Sequence, residues 1–146
     1  MLLRKDAKIE LLKQIPLFAG CTKKELQAIA QITEEREVES GAVLIREGES
    51  GHEVFVVVEG RLEVSRRSAG RVAETGPGEV VGEMALFSNR PRNATVTAIT
   101  PAHLVRIQDT DFLELLDRTS HLWLKIAASL ADRVPEDERL EAHFRD

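Results

Sequence analysis

The chain has a single cysteine among 146 residues. Cys21 therefore excludes an internal disulfide and any cysteine-rich metal site. It directly precedes a helix start, a position that can lower a thiol's pKa. No histidine lies near it in sequence, and it reads as a packed, inert thiol. Long apolar runs are missing too. None approaches the roughly 18 residues that span a bilayer, so no membrane segment is expected. The N-terminus, MLLRKDAKIELL, lacks an unbroken apolar core and a small-residue cleavage site. It reads as an amphipathic helix rather than a signal peptide, and the cytoplasm is the expected compartment. Basic clusters are scarce: net charge is −5, and Arg66-Arg67 and Lys23-Lys24 sit where solvated turns or helix starts are expected. A nucleic-acid surface needs clustered Lys and Arg without neutralising partners, so direct binding of DNA or RNA is not expected.

The groups that do chemistry are sparse or scattered. His52, His103, His121 and His143 have no metal-motif spacing. No pair of carboxylates stands in an evident cleft, and no serine sits in a nucleophile elbow. The chain is therefore expected to be no enzyme, with no catalytic residue, no metal and no cofactor.

What is present is a soluble globular balance, 42% apolar and 31% charged, at the length of one domain with one core. Leu11, Leu12 and Ile15 form a helical stripe that ends at Pro16. Thr22 and Glu25 predict a capping box, followed by Leu26, Ile29, Ala30 and Thr33 at helical spacing. From about residue 36 the pattern changes. Gly41, Gly48, Gly51, Gly60, Gly70, Gly76, Gly78 and Gly82 punctuate short β-rich runs. Val43 to Ile45 is one. Val54 to Val58 is continuously apolar and predicts a strand covered on both faces. Leu62 and Val64 alternate with polar residues, and Thr95 to Ile99 and Leu104 to Ile107 form a later pair. Such a series predicts an antiparallel barrel or roll. After Asp109, Phe112, Leu113, Leu115 and Leu116 suit a two-turn helix. Ser120 then stands as the N-cap of another, with Leu122, Trp123, Ile126, Ala127, Leu130 and Val134 as its apolar stripe, up to Pro135.

The densest chemistry lies in Val81 to Val96, VGEMALFSNRPRNATV. A bound phosphate needs inward backbone N–H groups and a planar, permanently charged fork. Gly82 permits close backbone approach, Met84 to Phe87 suit one helical turn, and Arg92 follows the stiffening Pro91. Glu83 would repel a phosphate but accept a sugar hydroxyl, a charge-assisted bond contributing roughly 1.5–3 kcal/mol. Phosphate plus adjacent hydroxyl in one compact ligand points to a ribose phosphate. Taken alone, Gly82, Glu83 and Arg92 fit a turn and a surface ion pair of about 0–1 kcal/mol equally well.

The wider spacing resembles the cyclic nucleotide-binding domain family of catabolite-activator-type regulators, kinase regulatory subunits and gated channels. The resemblance runs from about Leu11 to Val134. It rests on Gly82-Glu83-Met84-Ala85-Leu86, on Pro91-Arg92-Asn93-Ala94-Thr95, and on an upstream pattern of Leu44-Ile45, Gly48-Glu49, Gly51, Val54 to Val57 and Gly60. It implies that Arg92 pairs with the cyclic phosphate and Glu83 takes the ribose 2′-hydroxyl. Amides of Ala85 and Asn93 would complete the cradle, with Met84 and Ala94 beside them, and Gly82 would let the ligand sit close. Gly48 and Gly60 would be structural turns. After the Arg the family usually has a small or hydroxylated residue, and a Thr there is associated with cyclic GMP. Asn93 departs from that pattern, and the reading favours cyclic AMP over cyclic GMP. The last helix would close over the base or pair with its copy in a dimer, with Trp123, Leu130 and Arg133 as candidate base caps.

The expected fold is α+β: an antiparallel β-roll of the jelly-roll, double-stranded β-helix type, with about eight strands flanked by N- and C-terminal helices. One domain over 1–146 is expected, with N-terminal helices about 5–33, the roll about 36–108, C-terminal helices about 109–134 and a tail 135–146. The expected function is a non-catalytic sensor that binds a purine cyclic nucleotide and moves its last helix, acting on a protein partner or as a homodimer. No helix-turn-helix, channel segment or kinase accompanies it, so it is either a stand-alone sensor or a domain of a larger protein. The competing reading is a ligand-free roll used for protein interaction or dimerisation.

Overall fold

The structure is a computed structural model in which residues 2–86 and 90–133 are described. Two helices open the chain: α1 (Lys5–Lys13) and α2 (Lys23–Gln31), separated by a 3-10 turn at Pro16–Phe18. The capping box is present: the Glu25 N–H donates to Thr22 Oγ1 and the Thr22 N–H donates back to the Glu25 carboxylate. Thr33 does not continue α2. It opens β1 (Thr33–Val38), and its hydroxyl donates to the Ala30 carbonyl at 2.7 Å, satisfying an acceptor left over at the helix end.

The remaining strands are β2 (Val43–Ile45), β3 (Glu53–Glu59), β4 (Leu62–Arg66), β5 (Gly70–Thr75), β6 (Val80–Val81), β7 (Thr95–Ala98) and β8 (Ala102–Gln108). They form two four-stranded antiparallel sheets, ordered β1-β8-β3-β6 and β2-β7-β4-β5. The roll of eight strands flanked by helices is thus the observed architecture. The later pair of strands is real but divided: β7 belongs to the second sheet and β8 to the first.

The continuous apolar run of β3 has a simple cause. Val54 and Val56 join an apolar cluster with the helices, while Phe55 and Val57 join the cluster between the two sheets. Alternate side chains leave opposite faces of a strand, so a strand covered on both faces is apolar throughout. Strand β8 repeats the pattern, with Val105 and Ile107 towards the helices and Leu104 towards the roll.

Helices α3 (Asp109–Arg118) and α4 (Ser120–Arg133) complete the helical layer. Phe112, Leu115 and Leu116 are buried, and the Phe112 ring lies 5.9 Å from that of Phe18. Leu113, expected on the apolar face, is exposed because it lies about a quarter-turn from Phe112. In α4, Leu122 and Ile126 are fully buried, one turn apart, whereas Trp123 is 49% exposed. Ser120 is the first helical residue, with Thr119 preceding it. Lys125 donates to Glu25 at 2.6 Å, tying α4 to the start of α2. Phe87, Val134, Pro135 and the tail lie outside the described residues, as do the side chains of Met84, Ala85, Leu130 and Arg133.

Candidate functional site

Arg92 sits where two loops run side by side. Its N–H donates to the Glu49 carbonyl at 2.9 Å, and its own carbonyl accepts from the Gly48 N–H at 2.7 Å. The Glu47 N–H donates to Thr95 Oγ1 at 3.0 Å just beyond. The upstream glycine pattern and the Pro91 to Thr95 segment, read as separate motifs in the sequence, are therefore bonded to each other.

The Arg92 side chain then threads between glycines. Nη1 donates to the Gly82 carbonyl at 3.3 Å and Nη2 to the Glu53 carbonyl at 2.5 Å. Gly82 has φ +80°, a left-handed conformation that favours glycine, and a Cβ there would stand 2.7 Å from Arg92 Nη1. At Gly51 a Cβ would fall 1.6 Å from Arg92 Nε and 2.2 Å from Cζ. Gly51 thus leaves the channel through which the guanidinium passes, a role beyond the turn its place in the sequence pattern implies.

Among the described residues, no carboxylate stands within ion-pair distance of Arg92. Burial pulls the guanidinium's pKa down from its ordinary value, and the charges of Glu53 and Asp109 oppose that shift. Both carboxylates have other partners. Glu53 accepts from Arg106 Nη1 at 2.7 Å. Asp109, itself buried, is hydrogen-bonded to His52 Nδ1 at 2.9 Å and accepts from the Thr110 N–H at 2.6 Å. Arg92 is thus a half-buried cation whose direct partners are neutral carbonyls. A charge withdrawn from water without a counter-charge is costly, and an anionic ligand would offset that cost.

Arg92 opens onto a cleft of about 320 Å3 lined by Val43 to Arg46, Glu49 to Glu53, Arg92, Arg106 and Gln108. That volume suits a small ligand. Of the expected site residues, Gly82 and Arg92 are brought into contact. Glu83 is half-buried at the start of a 3-10 turn, Glu83–Leu86, and does not line this cleft. Asn93 is exposed and Ala94 buried. The helical turn expected at Met84 to Phe87 begins one residue earlier, at Glu83. Trp123 stands away from the cleft lining, and the Leu130 and Arg133 side chains fall outside the described residues.

Sequence reasoning did not assign Glu53, Arg106, His52 or Asp109 to the site. Glu53 serves Arg92 through its backbone, which no side-chain pattern reports. Arg106 did leave a signal, a lone charge inside the apolar run Leu104 to Ile107. Cys21 behaves as expected: burial, then the Glu25 charge, push its thiol up to about 11, with Lys125 opposing.

The two-sheet roll thus presents a half-buried arginine to a cleft of small-ligand size. The chain belongs to the cyclic nucleotide-binding domain family, whose sequence profile matches residues 35–119. It is 40% identical over 103 residues to a cyclic nucleotide-gated potassium channel of Mesorhizobium japonicum, covering 70% of this chain and 28% of the channel. This chain thus spans little more than a quarter of that relative. Among solved structures, the N-terminal domain of a transcriptional regulator from Streptomyces coelicolor superimposes with a TM-score of 0.79 at 28% identity, covering 84% of this chain and 91% of that one. The regulatory domain of a Toxoplasma gondii kinase, PKA, with cAMP gives 0.71 at 32% identity, covering 76% and 44%. Among the described residues, no helix is long and apolar enough to cross a membrane.

Proposed function

We propose that the chain binds a purine 3′,5′-cyclic nucleotide, cyclic AMP in preference to cyclic GMP, and works as a non-catalytic sensor that signals through its last helix. Family membership supports the ligand class, and the observation that supports the site is the half-buried Arg92 guanidinium, held among the described residues by the carbonyls of Gly82 and Glu53. In this reading Arg92 takes the cyclic phosphate and Glu83 the 2′-hydroxyl. Amides of Ala85 and Asn93 complete the cradle beside Met84 and Ala94, and Gly82 admits the ligand. The preference for cyclic AMP is supported by the absence of Thr at position 93 and by the cAMP complex of the Toxoplasma domain.

Signalling follows from packing. Leu86, at the end of the turn begun by Glu83, is buried in the same apolar cluster as Phe112, Leu116, Leu122 and Ile126. A ligand that repositions the turn changes the packing available to α3 and α4. The population shift is bounded by the ligand's differential affinity for the two arrangements. Trp123, with Leu130 and Arg133, is the candidate cap that α4 offers to the base. The signal passes to a protein partner or to a second copy of the chain.

The test is calorimetric titration of wild-type protein and Arg92→Ala with cyclic AMP. Arg92→Ala is expected to weaken binding by at least ~2 kcal/mol. Equal affinities would remove Arg92 from the site. No binding by wild-type protein would favour a ligand-free interaction module.

A further inference from the structure

We infer that Arg106 is a positioning residue for the ligand site: it holds the Glu53 carboxylate away from Arg92, leaving that guanidinium open to an incoming anion. The inference rests on the cyclic-nucleotide reading of the Arg92 cleft and concerns how the Glu53 carboxylate is kept off the Arg92 guanidinium.

Register creates the problem. Glu53 accepts from Arg92 through its main-chain oxygen at 2.5 Å, so its side chain starts within reach of the same guanidinium. A rotation of that side chain would form a half-buried ion pair, and any ligand phosphate would have to displace it. The structure shows the other arrangement. Arg106, on the neighbouring strand β8, donates from Nη1 to the Glu53 carboxylate at 2.7 Å. Register sets Phe55 opposite Arg106 on one side and Glu34 opposite it on the other. Arg106 Nη2 donates to Glu34 at 3.0 Å, and Glu34 also accepts from Arg36 Nε at 3.0 Å. The Arg106 fork is thereby held from both flanks. Among the described residues its buried Nε has no acceptor, and the two Nη groups carry its hydrogen bonds. Asp109, the second carboxylate whose charge Arg92 feels, is occupied independently by His52 and the Thr110 N–H. The two carboxylates whose charges Arg92 feels, Glu53 and Asp109, are therefore bonded elsewhere.

The experiment combines three variants with cyclic AMP as the probe. Arg106→Gln is expected to bind about two- to fivefold more weakly, the scale of a partly exposed ion pair that the ligand must break. Adding Glu53→Gln to Arg106→Gln removes the released competitor and should restore affinity close to wild type. That double variant also restores the cleft's net charge, so Glu49→Gln in the Arg106→Gln background is the control. Glu49 lines the same cleft, and its neutralisation restores the charge but leaves Glu53 free. The control is expected to stay weak. Failure of the Glu53 double variant to recover, or equal recovery by the Glu49 control, would overturn the inference. A crystal structure of Arg106→Gln decides it without any ligand: the Glu53 carboxylate should lie within ion-pair distance of Arg92, and a carboxylate still turned away refutes the proposal. If wild-type protein binds no cyclic nucleotide, the functional reading fails, while that structure still decides the role of Arg106.

Discussion

Gly51→Ala separates the ligand site from the fold. A Cβ at position 51 would lie 1.6 Å from Arg92 Nε, 2.2 Å from Cζ and 2.5 Å from Nη2. Those atoms belong to the far end of a flexible side chain, so the guanidinium moves and the backbone does not. Gly51 is not among the glycines with positive φ, and alanine meets no conformational strain there. The substitution reduces the freedom of the unfolded chain, an effect of about 0.4–1 kcal/mol in favour of folding. Displacement of Arg92 breaks its bonds to Gly82 and Glu53, which opposes that gain. Stability is therefore expected to stay within about 1 kcal/mol of wild type. Ligand affinity should fall much further, because a displaced guanidinium forfeits a charge-assisted phosphate contact of about 1.5–3 kcal/mol, roughly ten- to hundredfold in Kd. Calorimetric titration with cyclic AMP gives the affinity, and urea unfolding gives the stability. Unchanged affinity would show that Arg92 need not lie in the Gly51 channel to grip the ligand, and the geometric argument would fail.

Gly60→Ala should do the reverse. With φ +100° and a Cβ 2.6 Å from the Pro101 carbonyl oxygen, it strains fixed backbone, so stability should drop by about 1–3 kcal/mol while the folded fraction binds normally. Weakened binding at full stability would contradict that. Glu35 predicts a pH dependence. Its side chain is 5% exposed, and burial alone would raise its pKa, but the Leu3 N–H, Lys8 and His103 together hold it below the ordinary 4.5. A depressed carboxylate stabilises the fold above its unfolded pKa and loses that contribution as pH falls through the folded value. Urea unfolding should therefore show Glu35→Gln less stable than wild type at pH 7, by about 1–3 kcal/mol, with the gap closing below pH 4.5. A gap that is constant with pH would refute the assignment. Cys21, with its thiol pushed up to about 11, should react with a disulfide reagent at pH 8 far more slowly in folded than in urea-unfolded protein. Equal rates would contradict its burial.

Much of the fold was legible because its signals are local. The capping box at Thr22 and Glu25, the doubly covered strand at Val54 to Val57 and the glycine punctuation each have a cause within a few residues. Strand β1 was not legible. Its sequence, TEEREV, shows no apolar alternation because its inward position at Glu35 is filled by a charge that Lys8, Leu3 and His103 satisfy from elsewhere in the chain. Strand β5 is an edge with only Thr75 buried, so nothing in its composition marks a core. Trp123 reads as core by type, yet Leu122 and Ile126 take that face of α4. At the site, Arg92 and Gly82 could be named from spacing. The tertiary features could not: the Gly51 channel, the Glu53 carbonyl, and the Arg106 and His52 bonds that occupy the nearby carboxylates.

The central claim is that this roll binds a purine cyclic nucleotide through Arg92. Calorimetric titration of the wild-type chain with cyclic AMP, cyclic GMP and 2′-deoxy cyclic AMP tests it most directly. Both natural ligands should bind saturably, cyclic AMP more tightly, and the 2′-deoxy analogue should bind more weakly because Glu83 loses its hydroxyl partner. No heat and no thermal shift at millimolar concentrations of any of the three would contradict it.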